Sequence, residues 1–571
     1  MLGSRLGVLP LAMALALALL LADCSGPQSR PTLPPVRGLI LISLDTVRAD
    51  HLGDYGYGRN TSPAFDSLAR QGTLFVNAIA PSHGTLPSHM SLFTGVYPLE
   101  HGVYQSTSVL SDEIPTVPEM LQEQGFRTAG FTEGGFVSGH YGFARGFDEF
   151  KDSADGLPTD IEVTFARGAR FLQGLADNDR FFLFLHTYAP HDPYRPPEEH
   201  GSLFWAGDPP PGAFEPTGPN FLLFNDGQLE IADGVVDWYQ ALYDGGIHYA
   251  DSVVGEFVSE VRALGLLEET ALIIASDHGE EFLDHGRMVH TQIYDESLRV
   301  PLLVLHPRGP SGRRVESLVG LADLAPTALD LLGAATPLAN GDSGRPPPGG
   351  QDPGPADWCS GRSLAGLLAG EDEPLESTAY AESWGDLDRT LYWRSEDGFF
   401  QLLRFEPWFD GDGYWISRSF ELDWDGSQLS FEIMSFHEPR QVQVFVDGAR
   451  FRALEVGPGW RRVRLEPPGH SPVGRVRLVA NGCVSPASVG ESEDARCLSF
   501  KVRGTSLARL ELYDLSVDRR QQVDLAGRLP EMRDGLATLL ASFLSDRLAE
   551  PKTAELPPDV ERRLRSLGYL R

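Results

Sequence analysis

Positive charge is scarce in this chain: 47 Lys and Arg stand against 80 Asp and Glu, for a formal net charge of −33. That balance excludes a nucleic-acid partner, because neutralising a phosphate backbone takes a basic face. It also repels anions at long range, so an anion site here has to build its own local positive potential. Cysteine is scarce as well, with four in 571 residues. None has the Cys-x-x-Cys spacing of a metal site. Cys483 and Cys497 flank a polar loop and are able to pair in an oxidising compartment, which leaves Cys359 free. No apolar run after the N-terminus is long enough to span a membrane, and no solenoid-type repeat is present. The length exceeds what one hydrophobic core serves, so two or three domains are expected.

The N-terminus carries a targeting pattern. Arg5 precedes a Leu- and Ala-rich run over 6–22, then Leu21-Ala22-Asp23-Cys24 and a polar, Pro-rich stretch through Pro35. This resembles a bacterial lipoprotein signal with Cys24 as the lipidated residue, although Asp23 departs from the small residue preferred there. It implies an exported protein, periplasmic or anchored to the outer membrane, that meets membrane only through an N-terminal lipid.

Short apolar runs ending in polar residues read as buried parallel strands at 39–44, 181–185, 271–275 and 301–305. Helical patterns lie between them at 62–71, 117–124 and 251–264, each closed by a glycine. Alternation of this kind predicts an α/β fold with helices on both faces of a sheet. Residues 203–228 read as a long insertion and 336–358, rich in Gly, Pro and Asp, as a linker. Between 409 and 507 the period shifts to two. Asp447-Gly448 marks a hairpin turn there, and the segment predicts an all-β sandwich. Trp408, Trp415 and Trp424 in it are either sugar platforms or core aromatics, with core the better reading.

Asp45 lies just beyond the first strand, and Asp277-His278-Gly279 just beyond the third. Ligands of open α/β sheets bind at these carboxyl ends, and Asp with His suits a divalent cation. Asp in such a place is also a common helix N-cap. Between them stands Thr85-Leu86-Pro87-Ser88-His89. A hydroxyl becomes a nucleophile when a metal or base lowers its pKa; a Thr at a helix start can equally be a plain cap.

Taken in order, these segments resemble the sulfatase family of the alkaline-phosphatase superfamily. Asp45-Thr46-Val47-Arg48-Ala49-Asp50 resembles its opening motif, and Thr85-Leu86-Pro87-Ser88-His89 its Cys-x-Pro-x-Arg signature. Pro190-His191-Asp192-Pro193-Tyr194, Asp277-His278-Gly279-Glu280 and Leu298-Arg299-Val300-Pro301 follow, and Leu512-Tyr513-Asp514-Leu515 resumes the likeness near the end. The resemblance implies a mixed sheet with helices on both faces over 38–335, after a signal at 1–24 and a linker at 25–37. It adds a smaller C-terminal α+β subdomain at 359–408 and 508–548, carrying the sandwich at 409–507. Within the tail, 549–571, the stretch 560–571 ends in Leu567-Gly568-Tyr569-Leu570 and resembles a family docking segment. The implied activity is hydrolysis of sulfate or phosphate esters of a small molecule or glycan. Asp45, Asp277 and His278, with Thr85, would hold one divalent metal ion: calcium by family, with manganese or zinc also fitting. Thr85 would be the nucleophile and His89 would orient it. His191 and His290 would bind ester oxygens or protonate the leaving group, and Arg48 would bind substrate.

The departures from the family pattern bear on chemistry. Sulfatases convert Cys or Ser to formylglycine, whose hydrate expels sulfate by re-forming the aldehyde; Thr85 has no such exit. A phosphorylated Thr can instead be attacked by water at phosphorus. Thr46 replaces a second acidic ligand, Glu133 falls in a segment where the family carries Lys, and His290 stands at another Lys position. Asp244 and His248 share a helix face and could belong to a second metal. Two alternatives to the hydrolase stand: a transferase of phosphorylated head groups onto an envelope glycan or lipid, and a non-catalytic glycan-binding protein.

Overall fold

The computed structural model describes residues 32–152, 161–335 and, with interruptions of which 481–499 is the longest, 359–567, together with Tyr569. The leader, the 336–358 linker, Cys24, Cys483, Cys497 and the three sandwich indoles lie outside the described residues and side chains.

Eight strands form the central sheet: β1 (Gly38–Leu44), β2 (Thr73–Ile79), β3 (Arg127–Phe131), β4 (Glu149–Lys151), β5 (Phe181–Thr187), β6 (Thr270–Ser276), β7 (Arg299–Leu305) and β8 (Arg313–Gly320). Their order is β8-β2-β7-β6-β1-β5-β3-β4. β1 lies in the centre, parallel to β5 and β6. Its side chains alternate between two cores: Leu39 and Leu41 join one, Ile40, Ile42 and Leu44 the other. That explains the unbroken apolar run, since a strand covered on both faces has no solvent side.

β7, read as parallel from its own residues, departs from that reading and makes the sheet mixed, as the family resemblance implies. It runs antiparallel to both β2 and β6. The stretch joining β6 to β7 holds a two-strand ribbon, Glu281–Phe282 with Met288–Val289, and one short helix, α1 (Asp295–Leu298). No long helix carries the chain back to the start of the sheet, as a parallel strand requires.

Helix α2 (Thr85–Thr94) starts at Thr85, and every one of its residues is buried. The helix expected at 251–264 is the end of α3 (Val235–Ala263). Gly245 and Gly246 in its middle hide its start from a propensity reading. They let Pro196 and the Ala189 carbonyl approach the helix backbone.

Beyond the sheet, Ser377–Glu382, Arg389–Ser395, Gly398–Phe405 and Arg509–Asp514 form a four-stranded antiparallel sheet. The expected hairpin pairs Arg440–Val446 with Ala449–Val456, within two sheets of five and four strands. Among the described residues no helix is long and apolar enough to cross a membrane. The last helix, α4 (Pro558–Ser566), returns to the catalytic sheet. Val560 and Leu564 enter the same core as Leu39 and Phe182, and Leu567 is buried beside them. Each such side chain contributes about 1.5–3 kcal/mol to holding the tail down.

Candidate functional site

Register brings the site together. Leu44, the end of β1, pairs with Thr187 of β5 on one side and Ser276 of β6 on the other. The next residue on β1, Asp45, and the next on β6, Asp277, therefore emerge side by side, and the Asp45 amide donates to the Thr187 carbonyl at 3.0 Å. Thr46 turns the chain with φ of 60°, an uncommon conformation for a β-branched residue that costs about 1–3 kcal/mol. In return its amide donates to Asp277 Oδ1 at 3.2 Å. Its hydroxyl donates to the Asp45 carbonyl at 2.8 Å, so the residue replacing a carboxylate serves the loop instead.

Asp45, Asp277 and His278 form, among the described residues, the one group with ligand atoms converging within 4.8 Å. All three are fully buried. His278 Nδ1 donates to the Gly279 carbonyl at 2.9 Å, which leaves a lone pair on Nε2. Asp45 Oδ1 and Asp277 Oδ2 are buried without a hydrogen-bond donor. Three buried acceptors that converge, two of them carboxylates, fit a divalent cation. Burial and the neighbouring Asp277 and Glu280 carboxylates push the Asp45 carboxyl well up. Asp277 moves the opposite way: burial raises it, but His278 and His89 beside it hold it low.

Thr85 Oγ1 lies 3.1 Å from His278 Nε2. Around it stand the other expected residues. His89 does not reach the hydroxyl: its Nδ1 donates to the Thr85 carbonyl at 2.9 Å and lies 3.3 Å from Asp277 Oδ2, while its Nε2 meets Ser43 Oγ at 2.8 Å. It thus fixes the first turn of α2 rather than the Thr85 hydroxyl. His191 Nδ1 donates to the Asp192 carbonyl at 2.6 Å, and its buried Nε2 has no hydrogen-bond partner. Burial lowers its pKa to about 4. His290 stacks obliquely on His278, ring centroids 4.4 Å apart, and donates to the His83 carbonyl at 3.0 Å.

Three residues named from the sequence lie elsewhere. Arg48 is not offered to an anion: its guanidinium is held by Asp50 at 2.9 Å, Asp284 at 2.8 Å and the Glu280 carbonyl at 3.1 Å. Asp244 and His248 do not converge. Asp244 is taken by His51, Tyr57 and Arg59, and His248 meets His200. No second metal group forms among the described residues.

Several site residues escaped the sequence reading. His186, at the end of β5, contacts Asp45 Oδ2 at 3.2 Å; the rule that found Asp45 also covers this strand end. The Glu133 carboxylate, buried where a cation was expected, lies 3.6 Å from Arg563 of α4, whose Nε donates to the Glu133 carbonyl at 2.7 Å. Tyr569 reaches Thr85 itself, hydroxyl to hydroxyl at 2.8 Å. The sequence marks the tail as a docking segment, but nothing in its local pattern signals that Tyr569 reaches Thr85.

The sulfatase family model matches residues 37–334. The N-acetylglucosamine-6-O-sulfatase of Bacteroides thetaiotaomicron is 23% identical over 435 residues, 62% of this chain and 76% of that protein. Arylsulfatase K of Bos taurus is 25% identical over 317 residues, 48% of this chain; the match spans 58% of the relative's length. Among solved structures, the phosphonate monoester hydrolase of Agrobacterium radiobacter matches with a TM-score of 0.56 at 16% identity, covering 91% of this chain and 99% of that one. A structure in complex with its substrate D-glucosamine-2-N,6-O-disulfate matches at 0.57 and 16%, over 90% and 97%. At such identity these two establish the fold.

Proposed function

Because the chain belongs to the sulfatase family, whose members hydrolyse ester bonds, we propose that it cleaves a phosphate ester with Thr85 as nucleophile on one divalent cation. The observation that carries this reading is the placement of Thr85 Oγ1, 3.1 Å from Nε2 of His278, which converges with Asp45 and Asp277. Those three residues would hold the cation, which when bound lowers the pKa of a hydroxyl and draws charge from ester oxygens. Calcium is the choice by family, with manganese or zinc equally compatible with one His and two carboxylates.

This chain's own groups account for the remaining roles. Thr85 opens α2, so the helix N-terminus faces the incoming anion. That local positive potential matters in a protein of net charge −33. His191 keeps its Nδ1 proton on the Asp192 carbonyl, which turns the unpartnered Nε2 towards proton exchange with a leaving group. His290 shares the wall with His191, ring centroids 5.5 Å apart. The preference for phosphate rests on chemistry: a Thr ester lacks the aldehyde exit of formylglycine, whereas phosphothreonine is open to attack by water at phosphorus. The ester belongs to a small molecule or glycan, in keeping with the sulfatase named for N-acetylglucosamine. The lipoprotein-like pattern of the leader supports a location in the bacterial envelope.

The test is turnover of matched aryl sulfate, aryl phosphate and diaryl phosphate by native protein and Thr85→Ala. Phosphate turnover abolished by Thr85→Ala supports the reading. Preferred aryl sulfate turnover, or full activity in Thr85→Ala, sinks it. An added alcohol that captures the phosphoryl group would instead identify a transferase.

A further inference from the structure

Thr85 is 1% exposed, and what covers it comes from the far end of the chain. The Tyr569 ring lies 5.0 Å from His191, 6.1 Å from His290 and 4.5 Å from Phe136, between ring centroids, with its hydroxyl 2.8 Å from Thr85 Oγ1. The tail sits in a groove cut for it. Gly134 and Gly135 both have positive φ. A Cβ on Gly135 would come within 2.7 Å of Leu567 Cδ1. Arg563 binds the Glu133 carbonyl, and its guanidinium lies 5.7 Å from the centroid of the Tyr188 ring.

His278 keeps its imidazole proton on the Gly279 carbonyl, and its Nε2 would hold the cation, so it offers Thr85 no proton. A Thr85 oxygen that is deprotonated or phosphorylated can only accept, and in the 2.8 Å contact the Tyr569 phenol is the group placed to donate. A donor aimed at this atom has a definite use. When phosphothreonine is hydrolysed, Oγ1 leaves with the bonding electron pair and needs a proton.

We propose that Tyr569 of the C-terminal tail is a catalytic residue, the proton donor to Thr85 Oγ1 as the covalent intermediate breaks down. The inference rests on the reading of Thr85 as nucleophile. In the step, water adds to phosphorus, the phosphorus–Oγ1 bond breaks, and Oγ1 takes the phenolic proton. The proton released by the attacking water passes through solvent to the phenolate. Phosphothreonine and water become threonine and phosphate, and Tyr569 ends as it began.

The experiment uses full-length, cation-loaded protein and an aryl phosphate. Native protein, Tyr569→Phe and Thr85→Ala are compared by rapid-quench kinetics and by the mass of the peptide carrying Thr85. Tyr569→Phe keeps the ring and its packing, and its melting temperature is measured alongside. The expected result is a burst of aryl alcohol in Tyr569→Phe, steady turnover slowed about a hundredfold or more, and Thr85 trapped with one phosphoryl group. Turnover equal to or faster than native overturns the proposal and makes the tail a cover that must leave. Slowed turnover without a trapped adduct also overturns it, leaving a packing role. Full activity in Thr85→Ala, with no adduct in any variant, would show that the nucleophile assignment itself is at fault.

Discussion

His186 Nε2 and Asp45 Oδ2 meet at 3.2 Å inside the sheet, across the pairing of β1 with β5. The contact turns the other oxygen of Asp45, Oδ1, towards His278 Nε2 at 3.8 Å. A group that orients a ligand in this way tunes affinity without touching the ion. His186→Ala should weaken divalent-cation binding by about 10–100-fold, read by calorimetric titration. Unchanged affinity would show that the strand ends alone fix Asp45.

Cation binding should also stabilise the fold. Asp45 and Asp277 are two fully buried carboxylates facing one another. Chelated protein should melt lower than loaded protein, and a cation at a hundred times its dissociation constant should add about 2.7 kcal/mol. Calorimetry with and without chelator checks this; identical melting would mean that the group holds no ion.

Replacement of Thr85 should sort by chemistry. Thr85→Ala should lose at least about a thousandfold in turnover, in the range seen when nucleophiles are removed. Thr85→Ser, which keeps an oxygen in place, should retain a measurable fraction. Equal loss in both would argue for a structural use of the Thr methyl.

Gly279 has no room for a side chain, because a Cβ there would fall on the Glu296 carbonyl oxygen. Gly279→Ala should cost about 1–3 kcal/mol of stability and loosen His278, whose Nδ1 depends on the Gly279 carbonyl at 2.9 Å. Cation affinity and urea unfolding measured together would show both effects or neither.

His285 links α1 to the C-terminal subdomain. It contacts Glu296 at 2.7 Å, reaches the Gln521 carbonyl at 3.3 Å, and stacks on Tyr294 with ring centroids 3.6 Å apart. Burial disfavours its charge, but the Glu296 hydrogen bond and carboxylate more than offset that, so its pKa is raised. A raised folded-state value gives stability that is complete below the unfolded value of about 6.5 and is lost as pH climbs through the folded one. The stability difference between native protein and His285→Gln should shrink from pH 6 to pH 9. A difference that grows would reverse the assignment.

The parts of the site that sequence exposes share one property. Asp45, Asp277 and His278 each follow an apolar run, and Thr85 opens a helix. Position relative to a buried strand is written locally, in the contrast between apolar and polar neighbours. Strand direction is not, which is why β7 reads as parallel from its residues and runs antiparallel in the sheet. Arg48 shows a second limit. Its place in a motif predicted anion contact, but Asp50 and Asp284 lie close enough to neutralise it. Tyr569 shows a third: 484 residues separate it from the hydroxyl it touches, and no periodicity spans that distance.

That separation has a consequence for when the centre is finished. A ribosome makes Asp45, Thr85 and Asp277 well before the segment that covers them. A chain still in synthesis can gather the cation group but leaves the hydroxyl of Thr85 bare. Covering it is a late act of folding. Clipping within α4 would uncover that hydroxyl and also take Val560 and Leu564 out of the core.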